Sequence, residues 1–417
     1  MRLAEAFERV VGPEVPVGFR AYDGSTAGPP DAEVTLHLRT PVAVSHLVSA
    51  PNSLGLARAY VTGHLEVEGD LHTALSRLFD VRIGHITVAE RLEMLRSFLG
   101  AKLLYRAAPP PQEARQRGLR HSRRRDQQAI SHHYDVSNRF YELLLGPSMA
   151  YTCAVYPTAE STLEQAQFTK FDLVARKLGL REGMRLLDVG CGWGGMVMHA
   201  AREYGVRALG VTLSRAQAEW AQKAIADAGL GDLAEVRHLD YRDAPAEEFD
   251  AISSIGLTEH IGEHNLPSYF RSLYERLRPG GRLLNHCITR PDNRIPAKAG
   301  AFISRYVFPD GELVGVGRLV SLMHDTGFEV RHEENLREHY AMTLAGWCAN
   351  LEENWEQAVR EVGLATARVW RLYLAASRVG FERNVVQLHQ VLGVKLAGHD
   401  SGMPLRPDWE PARQPTS

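Results

Sequence analysis

The stretch Arg185-Leu-Leu-Asp-Val-Gly-Cys-Gly-Trp-Gly-Gly195 constrains this chain more than any other feature. Arg185–Val189 reads as a strand, and Gly190, Gly192, Gly194 and Gly195 follow it directly. Glycines at such a turn let the backbone approach a ligand where a Cβ would intrude. Further candidate strands lie at Arg207–Val211, Ala234–Leu239, Phe249–Ser254 and Gly281–Thr289, with helical segments near 195–204, 214–228 and 265–278. Strand–helix alternation at this spacing predicts an α/β fold, a parallel sheet with helices on both faces. Ligands of such sheets bind beyond the carboxyl ends of the strands.

Gly190, Gly192 and Gly195 satisfy G-x-G-x-x-G, so a dinucleotide or phosphate loop is the obvious competitor. No Walker lysine follows, however, and Asp188-x-Gly190-x-Gly192 after a strand is similar to the methyltransferase signature. A carboxylate at Asp188 suits the cationic end of S-adenosylmethionine and is awkward beside a pyrophosphate. The expected fold is therefore a Rossmann-like S-adenosylmethionine methyltransferase with a smaller N-terminal α+β domain. At the next strand end, Thr212, Leu213 and Gln217 offer neutral hydrogen bonds where many enzymes of this fold hold the ribose with an acid. Ser214 and Gln217 also have the spacing of a capping box. Asp240 and Tyr241 follow the third strand, where adenine would lie, one to accept from its amine and the other to stack.

At 417 residues, two domains are expected. In residues 1–107, Val34, Leu36 and Leu38 alternate with polar neighbours like a half-buried strand. Leu54–Thr62 has helical character before Gly63, and a second helical stretch runs from about Val88 to Leu104. Pro109-Pro-Pro111 opens a basic linker, 108–128, which carries Arg115, Arg117, Arg120, Arg123, Arg124 and Arg125. The methyltransferase domain spans 129–395, and 396–417 form a C-terminal tail.

A net charge of −2 favours no particular partner, and the arginine run comes without a base-reading aromatic motif, which argues against nucleic acid. Cys153, Cys191, Cys287 and Cys348 form no CxxC pair, so neither a metal site nor a disulfide framework is expected, and reduced thiols fit a cytoplasmic protein. The first residues lack the apolar run of a signal peptide, and nothing approaches the roughly 18 apolar residues of a membrane span. A lipid substrate would therefore be met from the inner face of the membrane, by a peripheral protein. Each arginine near anionic lipid would contribute about 1 kcal/mol to such docking.

Several further segments converge on one family. His132-His-Tyr-Asp-Val-Ser-Asn-Arg-Phe-Tyr141, Tyr151-Thr-Cys-Ala-Val-Tyr156, Gly210-Val-Thr-Leu-Ser214, Ser254-Ile-Gly-Leu-Thr-Glu-His-Ile-Gly262, Leu277-Arg-Pro-Gly-Gly281 and His286-Cys-Ile288 occur in this order. Together they resemble the bacterial cyclopropane-fatty-acid synthase and mycolic acid methyltransferase family over about residues 126–395, and the N-terminal domain resembles that of its longer, phospholipid-acting branch.

The resemblance implies transfer of a methyl(ene) carbon from S-adenosylmethionine to the double bond of an unsaturated phospholipid acyl chain, through a carbocation. Loss of a proton from the new methyl closes a cyclopropane; other fates of the cation give a methylene- or methyl-branched chain. The base implied is a bound bicarbonate ion, held by Cys153, Glu259, His286, the backbone near Ile288, and Tyr340. Glu259 beside an anion implies a shared proton, since like charges would otherwise repel. Tyr151, Thr152, Gly190, Gly192, Thr212, Leu213, Gln217 and Gly256 are implied around the cofactor, and Tyr134, Phe302, Tyr306 and Phe308 along an acyl channel. A homodimer and a reductase acting on the product are compatible partners. Two positions depart from the family: Ser377 stands where some members carry a cysteine, and Thr258 where a bulky apolar residue is usual. Thr258 adjoins Glu259 and is expected to influence which proton leaves the cation. The alternatives are a small-molecule N-methyltransferase, which shares this catalytic core, and a non-catalytic lipid-binding protein.

Overall fold

The computed structural model describes residues 1–12, 17–81, 107–114, 120–123, 125–127, 136–296 and 298–410. The chain divides into two units, 1–115 with 300–309 and 351–380, and 116–299 with 310–350 and 381–417. The division at 115/116 falls inside the segment 108–128, and two later segments group with the N-terminal residues.

In the second unit the strands are β5 (Arg185–Val189), β6 (Arg207–Thr212), β7 (Ala234–His238), β8 (Phe249–Ile255), β9 (Leu277–Thr289), β10 (Glu329–Asn335) and β11 (Gln387–Val394). They form one sheet in the order β10-β11-β9-β8-β5-β6-β7. The five expected strands are parallel to one another, and their helices are Gly195–Tyr204, Arg215–Asp227 and Leu266–Arg276. β9 starts at Leu277, earlier than the Gly281 expected.

Two strands escaped the sequence reading. β10 carries Glu329, Arg331, His332, Glu333 and Glu334, a composition that reads as loop but protects an edge strand from pairing further. β11 lies between β10 and β9, antiparallel to both. The helix Leu163–Leu178 also escaped, although its ends are well marked. Thr162 and Gln165 form a capping box, and Gly179 closes it in the left-handed region. Its inner face mixes Phe171, Val174 and Leu178 with fully buried Gln167, Lys170 and Lys177, which blurs the apolar stripe.

The first unit holds a four-stranded sheet, β1 (Gly18–Ala21), β2 (Thr26–Ala27), β3 (Thr35–Leu38) and β4 (Leu65–Glu68), in the order β2-β1-β3-β4. Its core joins Phe19, Leu38, Val44, Tyr60 and Leu71 to Ala375 of the helix Leu364–Glu382, which also bears Ser377. The helix expected at Leu54–Thr62 is Ser53–Val61, started by the Asn52 side chain, with Gly63 just beyond. The helical stretch expected from Val88 to Leu104 lies outside the described residues. Buried Glu113 accepts two hydrogen bonds from Arg58 (2.5 and 3.0 Å) and one from the Tyr306 hydroxyl (3.1 Å).

Within the second unit, Arg120 and Arg125 converge on Asp310 (2.9 and 2.5 Å) and Arg123 pairs with Asp243 (2.7 Å). Arg125 is largely buried, whereas Arg120 and Arg123 stay exposed beside their partners; Arg115, Arg117 and Arg124 lie outside the described residues. No helix among the described residues is long and apolar enough to cross a membrane.

Candidate active site

The carboxyl ends of β5, β6 and β8 build a cradle of backbone. The amides of Gly190 and Cys191 both donate to Val211 O of β6 (2.9 and 3.0 Å), which folds the turn tightly. Gly190 takes φ +75°, and a Cβ there would stand 3.0 Å from Leu257 Cβ. Gly256, after β8, takes φ +75°, and a Cβ there would come within 2.8 Å of Thr152 Cγ2. Both positions demand glycine for conformation and for space. Thr212 donates through Oγ1 to Gln217 Oε1 (2.8 Å), while Gln217 N donates to Ser214 Oγ (3.2 Å). Only half of the capping box forms, because the Gln217 amide is held by Thr212 with Nε2 toward Gly192. Leu213 O is engaged by His238 Nε2 at 3.1 Å.

Asp240 caps the short turn Tyr241–Asp243 and grips the Arg242 guanidinium at 2.6 and 2.8 Å. Tyr241 meets Tyr269 edge-on at 5.1 Å between ring centroids. Asp188, read as a partner for the cofactor's cationic end, is buried beneath the loop and accepts from Ser253 Oγ at 2.6 Å. Burial pushes its carboxyl up to about 6, against the opposing influence of Ser253 and Lys170.

The strap Tyr151–Cys153 is tied to the helix Leu163–Leu178. Gln167 Nε2 donates to Ala150 O and Thr152 O (3.3 and 3.0 Å), and Lys170 Nζ donates to Thr152 Oγ1 (2.9 Å). Burial lowers Lys170 to about 7, with Cys153 and Asp188 pulling the other way. Cys153 is buried, and burial pushes its thiol far up. It is a poor nucleophile for that reason, and its Sγ donates to Ala154 O at 3.1 Å. Around the strap stand aromatic rings: Tyr151 lies 5.8 Å from Tyr141 and 5.3 Å from Trp347, and Tyr340 lies 6.0 Å from Trp347.

In the short helix Thr258–Ile261 after β8, Glu259 Oε1 accepts from Ile288 N of β9 at 2.6 Å, and Gly256 N donates to His286 O at 2.8 Å. Cys153 and Tyr340 reach the same end of the sheet through Leu336. Its carbonyl accepts from Cys153 Sγ (3.7 Å) and Tyr340 N (3.1 Å), and its amide donates to Leu388 O (2.8 Å). Leu388 in turn lies opposite Ile288. The structure thus joins Glu259 directly to Ile288 and places Cys153 beside Leu336, whose amide is bonded to the strand that pairs with Ile288. Burial pushes the Glu259 carboxyl up to about 7 and drives the His286 imidazole well below its ordinary value. Glu259 Oε2 and His286 Nε2 are buried without hydrogen-bond partners among the described residues. One is an oxygen that accepts, or donates when protonated; the other is an imidazole nitrogen. A small oxyanion that carries one proton, as bicarbonate does, matches this donor and acceptor pair.

Of the aromatic residues read as lining an acyl channel, Phe302, Tyr306 and Phe308 group with the first unit. Phe302 and Tyr306 are buried in the first unit with rings 5.6 Å apart, and Phe308 lies 5.9 Å from Tyr373 there. Tyr134 lies outside the described residues. Thr258 is buried beside β9. Asn285 and Cys287 share one face of β9, opposite His286 and Ile288, and Thr258 Oγ1 donates to Asn285 Oδ1 at 2.6 Å. The Thr258 side chain therefore packs into the core, so Thr258→Phe should destabilise the protein by about 1–3 kcal/mol through overpacking. Thr258→Ser, which keeps the hydroxyl, should unfold in urea almost like the wild type. The sequence reading missed Gln167, Lys170, Lys177, Trp347 and Gln390; a capping box followed by polar residues at helical spacing was the one available signal.

A doubly wound sheet whose first strand ends in a glycine cradle, with hydrogen-bonding residues at the next strand end, defines an S-adenosylmethionine-dependent methyltransferase of Rossmann-like fold. The chain belongs to the mycolic acid cyclopropane synthetase family, whose model matches residues 121–391. It is 57% identical over 409 residues to a protein of Mycobacterium tuberculosis named "probable fatty acid methyltransferase", covering 95% of each chain. A protein of Pseudomonas putida with the same name is 40% identical over 386 residues, covering 91% of this chain and 92% of its own. Among solved structures, mycolic acid cyclopropane synthase CmaA1 complexed with SAH and CTAB matches with a TM-score of 0.61 and 32% identity, over 64% of this chain and 97% of its own.

Proposed function

We propose that this enzyme methylates the double bond of an unsaturated fatty acyl chain carried on a phospholipid, giving a cyclopropane or a methylene- or methyl-branched chain. The observation that carries the reading is the buried pair of unpartnered atoms, Glu259 Oε2 and His286 Nε2. An alkene that takes a methyl group leaves a carbocation that must lose a carbon-bound proton, so a buried base site shielded from water has a task there. The names of the two fatty acid methyltransferase relatives support the substrate class. S-adenosylmethionine supplies an electrophilic methyl group, and bicarbonate supplies the proton acceptor.

The chain's own residues would divide the work as follows. Gly190, Gly192 and Gly256 let the backbone close on the cofactor, and Gln217 offers its Nε2 to it. Gln167 and Lys170 fix the strap Tyr151–Cys153 over Gly256. Tyr151, Tyr340 and Trp347 present ring faces that attract a carbocation. Glu259, with its raised carboxyl, shares a proton with the bound anion, and His286 orients it. The first unit is proposed to dock the lipid or a partner.

The test is mass spectrometry after incubation with monounsaturated phospholipid vesicles, the free fatty acid, or small amines, each with methyl-deuterated S-adenosylmethionine. Phospholipid heavier by one methylene unit is expected; retention of two deuterons marks a cyclopropane or methylene product, and three a methyl-branched alkene. Labelled amine in place of lipid would overturn the reading, as would cofactor binding without turnover of either.

A further inference from the structure

We infer that Lys177 and Gln390 are positioning residues that fix the tautomer of His286, leaving its proton on Nε2 and directing that N–H into the base site. The inference rests on the proposed function for the identity of what receives the hydrogen bond, but not for the state of the ring.

The register of three strands places the participants in a row. Glu334 of β10 lies opposite Gln390 of β11, and Gln390 lies opposite His286 of β9. Residues opposite one another in adjacent strands share a face of the sheet. The helix Leu163–Leu178 brings Lys177, fully buried, to the same row. Lys177 Nζ is ion-paired with the Glu334 carboxylate and donates to Gln390 Oε1 at 2.7 Å. Gln390 Nε2 lies 3.2 Å from His286 Nδ1.

Each contact decides the next. The two ends of a glutamine amide are nearly alike in shape, so its orientation follows from its partners. An ammonium group only donates; burial lowers Lys177 below its ordinary value, and the ion pair with the Glu334 carboxylate opposes that and favours the charged form. The oxygen of Gln390 must therefore face Lys177, and its NH2 must face His286. An NH2 group can only donate to Nδ1, so Nδ1 must present a lone pair. A neutral imidazole carries one proton, which is then on Nε2. Burial and the nearby Lys170 and Lys177 keep the ring neutral. The result is a buried N–H without a partner, which is costly unless a ligand completes it. Without this relay the ring would have two tautomers, one of which turns a lone pair toward the anion.

The test reads the ring directly. Long-range proton–nitrogen correlation spectra of the histidine-labelled full chain, with the His286 signals assigned by their loss in His286→Ala, report which nitrogen bears hydrogen. Wild type without lipid or bicarbonate should show a pyridine-like Nδ1 and a pyrrole-like Nε2. Lys177→Met frees the Gln390 amide to turn, so both nitrogen shifts should move toward their average. Its kcat should fall about ten-fold, the scale of one lost hydrogen bond, with the KM for S-adenosylmethionine unchanged. A wild-type proton on Nδ1, or a His286 spectrum unaltered in a folded Lys177→Met, would overturn the proposal. If that variant does not fold, the wild-type spectrum still decides. The predicted ring state together with no lipid product would overturn the proposed function alone.

Discussion

Gly190→Val should bind S-adenosylmethionine too weakly to detect by calorimetry, while the protein stays folded. Gly190 sits at φ +75°, a region that costs a non-glycine residue roughly 1–2 kcal/mol and a β-branched one more. The new Cβ would also meet Leu257 Cβ at 3.0 Å. Relief of both requires the loop to swing away from Val211 O, which breaks the cradle. Gly229→Val supplies the control. It imposes comparable strain at φ +65° with nothing within 4 Å of the added Cβ, before the amino end of β7 and away from the cradle. That variant should lose stability and keep its affinity. Equal affinity in Gly190→Val and wild type would remove the cradle from the cofactor's site.

Glu259→Gln should lose roughly 100-fold or more of kcat, the range of a lost acid–base partner, with little change in cofactor affinity. It should also be more stable than wild type above neutral pH. The carboxyl pushed up to about 7 in the fold lies above its ordinary value of 4.5. The folded state therefore holds the proton more tightly than the unfolded state between those values, and ionisation in the fold is penalised. Below about pH 4.5 both states are protonated, so wild type and Glu259→Gln should match. As pH rises from about 4.5 to 7 wild type falls progressively behind, by up to a few kcal/mol, and the gap stays level above that. Thermal unfolding across this range checks the sign. A variant less stable than wild type at pH 8 would mean that the carboxylate is satisfied in the fold and that Oε2 has a partner after all.

Much of this was legible in the sequence because it is local. The turn after β5 is written in residues 188–195, since only glycine meets a positive φ beside a close backbone approach. The alternation of apolar strands with helices fixed the parallel part of the sheet, and the spacing of Thr212, Ser214 and Gln217 marked the next strand end. The resemblance to a family then pointed to Glu259, His286 and Ile288, and the structure joins Glu259 to Ile288 N.

What depends on pairings distant in sequence was not legible. The position of Asp188 at the turn was readable, but its burial and its bond from Ser253 come from tertiary packing. Thr258 adjoins Glu259 in sequence, and only the fold shows its hydroxyl bonded to Asn285, on the face of β9 opposite His286. Lys170 and Lys177 would pass as a solvated helix face, because nothing local distinguishes a buried lysine from an exposed one; each is buried only because a partner waits inside. The sequence alone determined where the backbone could approach a cofactor, since conformational demands on a glycine are paid residue by residue. Only the tertiary structure decided how Glu334, Lys177, Gln390 and His286 align, because strand register between non-consecutive segments is set by the packing of the whole sheet.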